Sequence, residues 1–144
     1  MTNDRYNAYG ALLLRISLGV IYVAHSLYLK LFVFSLPGTA QFFESIGLPG
    51  PVAYLVFAVE AVGGVALIVG YRARWVALAL VPVALGATWA HLGAGWLFTN
   101  PGGGWEYPLF LAVATFVQFL LGDGARALRP STSVPVPPAA TRHA

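Results

Sequence analysis

Glu60, His25 and His91 are ionisable side chains set inside apolar sequence. Glu60 falls near the middle of the run Val52–Gly70, which contains no cation. An ionised acid at membrane depth is expensive, so such residues face a bundle interior and mark a pathway or a site. A carboxylate with two imidazoles suits proton relay and hydrogen bonding to a substrate oxygen. These three are the catalytic candidates. Lys30, Glu106, Tyr22 and Arg15 are the candidates for binding a substrate around them.

The elements that carry these residues follow from composition. The chain has 144 residues, 58% of them hydrophobic and 9% charged, with a mean hydropathy of +0.74. A soluble domain carries about 25% charged residues, so this chain lacks the polar surface to face water on all sides. Four runs read as membrane spans: residues 10–34, 51–70, 75–97 and 105–121. Each approaches the ~20 residues that cross a bilayer core. Runs this long satisfy their backbone as helices. The expected fold is all-α, an integral membrane four-helix bundle over residues 1–128.

Charge sets the orientation. Arg5, Arg72, Arg74, Arg126, Arg129 and Arg142 all lie in one set of connections, and the stretches 31–51 and 97–105 contain no Lys or Arg. By the positive-inside rule both termini and the turn at residues 71–74 face the cytoplasm. The net charge of +3 thus encodes topology, and no nucleic-acid partner is expected. Residues 39–46 suit a short amphipathic helix lying in the outer connection, with Phe42, Phe43 and Ile46 toward lipid or bundle. The first span is expected to stay as a signal anchor, since Arg15 and His25 interrupt its apolar region. Residues 129–144, rich in Pro, Ser, Thr and Ala, read as a disordered tail.

Depth brings the polar residues together. At 1.5 Å per residue, His25 and Glu60 each lie roughly 13 Å inside the outer ends of their spans and His91 roughly 9 Å. In the first span Arg15, Gly19, Tyr22, Ser26 and Lys30 form one stripe of a 3.6-residue helix, with His25 on its edge. Glu60 shares a face with Gly63 and Gly64, which permit close helix approach. His91 shares one with Ala84, Ala87, Thr88, Ala94 and Gly95, and Pro82 is expected to kink that helix.

Each residue has a plainer reading beside the functional one. Arg15 either snorkels to phosphate or pairs with Glu60. Lys30 either anchors at the interface or rims the site, and Glu60 either forms a structural pair with His25 or Lys30 or acts in the site. Glu106 either favours the dipole at a helix start or lines the site. The histidines are either packed or functional. The chain has no cysteine, which excludes disulfides and thiol chemistry within it. Bis-histidine haem or a His25–Glu60–His91 metal site is chemically reasonable, but nothing in the spacing calls for either, and no metal site is expected.

The ordered series of short motifs resembles the DoxX family of small four-helix membrane proteins, over about residues 11–128. It begins with Leu14-Arg15-Ile16-Ser17-Leu18-Gly19 and the stretch from His25 to Lys30. Phe42-Phe43, Gly47-Leu48-Pro49 and Glu60-Ala61-Val62-Gly63-Gly64 follow. His91, Gly103-Gly104-Trp105-Glu106-Tyr107-Pro108 and Leu121-Gly122-Asp123-Gly124 complete it. Ser26 departs from the glycine that commonly follows the histidine in the family. The resemblance implies a multi-pass protein of the bacterial cytoplasmic membrane, associated with membrane-bound oxidoreductase systems, among them thiosulfate:quinone oxidoreductase. It implies a redox-enzyme partner or self-association, and no agreed set of catalytic residues.

The leading expectation is therefore a subunit of a quinone-linked oxidoreductase. In it a quinone enters between helices, His25 or His91 bonds a quinone oxygen, Glu60 relays protons, and Lys30 and Glu106 form the outer rim. The alternatives are a non-catalytic membrane scaffold for a redox enzyme and a small-solute or lipid transporter.

Overall fold

Backbone removed from water has to satisfy its own hydrogen bonds, and a helix does so within one segment. The computed structural model describes residues 3–131. Helix α1 (Asn3–Val23) continues directly into a π-helical segment (Ala24–Val33). Then come α2 (Leu36–Ser45), α3 (Pro51–Val69), α4 (Ala73–Ala90), a 3-10 turn (Leu92–Ala94) and α5 (Glu106–Leu121). Three stretches are long and apolar enough to cross a membrane: Asn3–Val33, Pro51–Val69 and Ala73–Ala90. Helix α5 is also apolar but has 16 residues. The described residues form no strand, only an isolated bridge between Tyr71 and Arg129.

The helices pack as two pairs, α1 on α3 and α4 on α5, joined along α3–α4 and α1–α5. Glycines set the first crossing. A Cβ on Gly19 would lie 2.7 Å from the Gly64 carbonyl oxygen, and one on Gly64 would lie 3.0 Å from that of Gly19. Only bare backbone fits there, and such close approach supplies the dispersion contact that holds helices together in lipid. Gly63 serves the other neighbour: its missing side chain leaves room for Leu80 of α4. The shared core runs through Leu18, Tyr22, Leu67, Leu80, Ala84 and Leu111.

One end of the bundle is closed by arginines and Asp123. Gly70 ends α3 in the left-handed region (φ 76°), which a side chain there would strain. The turn that follows is clamped by residues after α5: Arg72 N–H donates to the Arg129 carbonyl at 2.7 Å, and Arg129 N–H to that of Gly70 at 3.1 Å. Asp123 accepts from Arg74 N–H (3.1 Å) and from the Ser131 N–H and hydroxyl (both 2.7 Å). Burial alone would raise the Asp123 carboxyl, but those hydrogen bonds and the Arg74 charge outweigh it and hold the group below its ordinary value.

Several boundaries differ from the sequence reading. Arg129 and Ser131, expected in the disordered tail, are bonded to the body; the rest of that stretch, 132–144, lies outside the described residues. The first helix begins at Asn3, well before residue 10. The run 75–97 is α-helical only to Ala90. Beyond it Gly95 takes φ 82°, and residues 95–96 give their carbonyls to Trp105 and Glu106 N–H, so an apolar stretch becomes a bonded loop. Helix α4 runs unbroken through Pro82. The short helix of the connection begins at Leu36, with the Ser35 hydroxyl accepting from Gly38 N–H.

Candidate functional site

The site begins with two side-chain donors in the first helix. His25 Nδ1 bonds the Ile21 carbonyl at 2.9 Å, and the Ser26 hydroxyl donates to that of Tyr22 at 2.8 Å. Both carbonyls lie four residues back, where an α-helical N–H would otherwise arrive, and such back-bonding competes with the ladder. The wider π register starts at this point and ends with Phe34 N–H on the Leu29 carbonyl, five residues back, at 2.8 Å. Residues five apart in an α-helix are turned by about 140°. The i→i+5 bonding of a π-helix instead brings them to one side, so His25 and Lys30 share a wall.

Across that wall stands Glu60. Lys30 Nζ lies 2.6 Å from Glu60 Oε2, with both side chains largely buried. The π segment keeps α2 and α3 as neighbours but makes no extended contact with α4 or α5. The helix pairs therefore part at this end and leave a cavity of about 970 Å³. Tyr22, Ala84 and Leu111 belong both to the core and to the cavity lining and form its floor. Phe43 of α2 and Ile46 just after it cover one side, and Phe98, Gly103 and Gly104 of the loop before α5 cover another.

His25, Lys30, Glu60, His91 and Tyr22 all line this cavity. Tyr22 also shares a hydrogen bond with Thr115 Oγ1 at 2.8 Å, which ties α1 to α5 beneath it. His91 is the residue that ends α4, and its Nδ1 bonds the Gly102 carbonyl at 3.0 Å. Two candidates stand apart. Glu106 is not in the lining; its Oε1 accepts from Phe98 N–H at 3.0 Å and pins the loop to the start of α5. Arg15 is 1% exposed and neither snorkels nor reaches Glu60. Its Nη1 donates to the Asp123 carbonyl at 2.7 Å, at the arginine end.

The sequence reading missed one contributor. Tyr107, read as part of an aromatic belt, stacks on His25 with ring centroids 6.1 Å apart and planes at 17°. Its position in the first turn of α5 gives no periodic signal that would point it at His25. Of the two surfaces that the sequence leaves open to α2, lipid or bundle, the structure puts Phe43 and Ile46 over the cavity. Chemically the site is an apolar chamber with one ion pair, two imidazoles and a stacked phenol. No group of three or more metal-binding side chains occurs among the described residues.

The sequence model described as DoxX matches residues 10–93, more than half of the chain. That stretch includes the catalytic candidates His25, Glu60 and His91 and ends before Tyr107. A protein of Bacillus subtilis (strain 168), named "Putative oxidoreductase CatD", is 41% identical over 78 residues. The match covers 54% of this chain and 56% of that protein, so the chain spans just over half of its relative's length. No solved structure matches the chain. With three membrane-crossing stretches and the family's match over more than half its length, the chain is a multi-pass membrane protein belonging to the DoxX family.

Proposed function

We propose that this protein is the membrane subunit of a quinone-linked oxidoreductase system and that its cavity holds the quinone. The observation that carries this reading is the chamber of about 970 Å³ with the Lys30–Glu60 pair on its wall. Pockets of this size, mostly apolar with a few placed polar groups, suit a flat apolar ring bearing oxygens. The neighbouring imidazoles and Glu60 supply groups that exchange protons with such oxygens. The relative's name, an oxidoreductase, agrees with the class of reaction. In this reading α5 is the fourth span, since it packs along α4, and the arginine end faces the cytoplasm by the positive-inside rule. The bacterial cytoplasmic membrane is the location we assign, with a redox enzyme docked at one face.

The test is to purify the protein from membranes, extract its lipids and measure quinone per chain. Stoichiometric quinone is expected, with loss in Glu60→Gln and His91→Ala. No quinone, together with unchanged quinone reduction by both variants in the presence of the partner enzyme, sinks the reading.

A scaffold without chemistry is the second reading, and one observation favours it: Lys30 and Glu60 already neutralise one another. It predicts that a partner enzyme keeps its activity when Glu60 is changed conservatively and the fold survives.

A further inference from the structure

Most side-chain hydrogens in the cavity lining are already spent. Thr115 Oγ1 gives its one hydrogen to the Leu111 carbonyl at 2.7 Å, so in the 2.8 Å bond between Tyr22 and Thr115 the Tyr22 hydroxyl is the donor. The Thr39 hydroxyl donates to the Ser35 carbonyl at 2.8 Å. His25 Nδ1 meets the Ile21 carbonyl and His91 Nδ1 that of Gly102, so each neutral imidazole has its N–H on the backbone.

Beside the indole of Trp89, which is 52% exposed in the last turn of α4, two lining groups keep hydrogens to give. Lys30 Nζ carries three and directs one at Glu60 Oε2. The Tyr107 hydroxyl makes no hydrogen bond among the described residues. The two donors stand on different helix pairs. Lys30 belongs to the π segment against α3, and Tyr107 to the first turn of α5, which packs on α4. The Tyr107 ring stacks on His25, and its phenol is near enough to act electrostatically on the Tyr22 hydroxyl at the cavity floor. It thus reaches into the chamber, which membership of an interfacial aromatic belt does not require.

A para-quinone carries a carbonyl oxygen at each end of its ring, and an acceptor left unmet in an apolar surround is costly. We infer that Tyr107 is a ligand-binding residue of this cavity, its hydroxyl donating to one carbonyl oxygen of the bound ring while Lys30 Nζ donates to the other. This rests on the quinone-site reading above and adds to it a residue beyond the stretch 10–93 that the family model matches. His91 keeps its part in binding, because its bond to Gly102 holds the loop that brings Gly103 and Gly104 to the lining.

The experiment uses the full chain in lipid nanodiscs, with empty discs as the blank. Tyr107→Phe keeps the ring that stacks on His25 and removes only the hydroxyl. Decylubiquinone and decylbenzene, a ring and tail without oxygens, are each titrated calorimetrically, and the carbonyl bands of the bound quinone are read by infrared difference spectroscopy. Tyr107→Phe is expected to weaken decylubiquinone about fivefold or more, the factor that one hydrogen bond supplies, and to leave decylbenzene unchanged. In the wild type both carbonyl bands are expected below their position in empty discs, and in Tyr107→Phe one of them returns to it. Equal quinone affinity in the two proteins, or an equal loss for decylbenzene, overturns the inference and leaves the quinone site standing. A carbonyl band that stays unshifted in the wild type overturns it as well, with no variant needing to fold. Quinone binding to the wild type no better than to the blank removes the site reading and the inference together.

Discussion

Lys30 Nζ sits 2.6 Å from Glu60 Oε2 and bridges the π segment to α3, 30 positions away in sequence. It is the one ion pair among the described residues, and it stands at the end where the helix pairs part. Two charges drawn from water recover their solvation only through close geometry and further hydrogen bonds. The pair therefore holds the cavity wall together and presents a polar patch to whatever enters.

Breaking one half of that pair strands the other. Lys30→Met leaves Glu60 without its cation, and Glu60→Gln leaves a buried ammonium against a neutral amide. Either single change is expected to destabilise the protein by about 3–5 kcal/mol. The double variant is expected to lose much less, because no buried charge is left alone. Thermal unfolding in detergent for all four proteins gives the coupling directly. Additive losses would show that the pair contributes no mutual stabilisation.

The α1–α3 crossing makes a sharper stability prediction. A Cβ on Gly19 would lie 2.6 Å from Ile68 Cγ1 and 2.7 Å from the Gly64 carbonyl oxygen. Relief requires the helices to part, so Gly19→Ala is expected to cost about 1–3 kcal/mol, the usual range for overpacking. Gly10 lies in the same helix, and a Cβ there would meet nothing within 4 Å, so Gly10→Ala is the control. There the gain in helix propensity should stabilise by about 0.5–1 kcal/mol. Unfolding midpoints of the two variants should move in opposite directions. A shared direction would remove the crossing from the account.

Much of the site was readable from residue types and depth. Glu60 and His25 sit at equal depth on their runs, and the cavity has both on its lining. The pairing of Lys30 with Glu60 stood among the alternatives. The π register did not show, because a 3.6-residue stripe assumes the α ladder continues, and the back-bonds of His25 and Ser26 are side-chain events that hydropathy does not record. The apolar character of residues 92–97 puts His91 inside a helix; the loop's backbone bonds to residues 105–106 decide otherwise. For Arg15 the residue types offer snorkelling or a pair with Glu60. The arginine's partner is a backbone carbonyl 108 positions away, which no residue type announces.

Asp123 predicts how the arginine end responds to acid. Its folded carboxyl is held below the ordinary value, so the deprotonated form favours the fold. The stability it contributes is fully present above the unfolded carboxyl's pKa, about 3.9, and is lost as pH falls through the lower, folded one. Asp123→Asn is expected to be less stable than wild type at neutral pH. The difference should shrink below about pH 4 as the wild-type carboxyl takes up its proton. Unfolding midpoints against pH for the two proteins test this. Parallel curves would mean that the hydrogen bonds from Ser131 and Arg74 do not depend on the charge.

Ser26 offers a way to move the site without touching its polar groups. The side chain is fully buried, and its hydroxyl donates to the Tyr22 carbonyl. Ser26→Ala removes that competitor and leaves the carbonyl free for an α-helical N–H. The expected result is a shift of the segment toward the α register, which turns Lys30 away from the side it shares with His25, toward the separation of about 140° that five α-helical residues give. Lys30 then reaches Glu60 less well, so the coupling energy between them should fall in the Ser26→Ala background. That is a triple-variant cycle read by thermal unfolding. A coupling that stays unchanged would show that the π register is held by His25 and the backbone alone, with the serine hydroxyl only filling its own need.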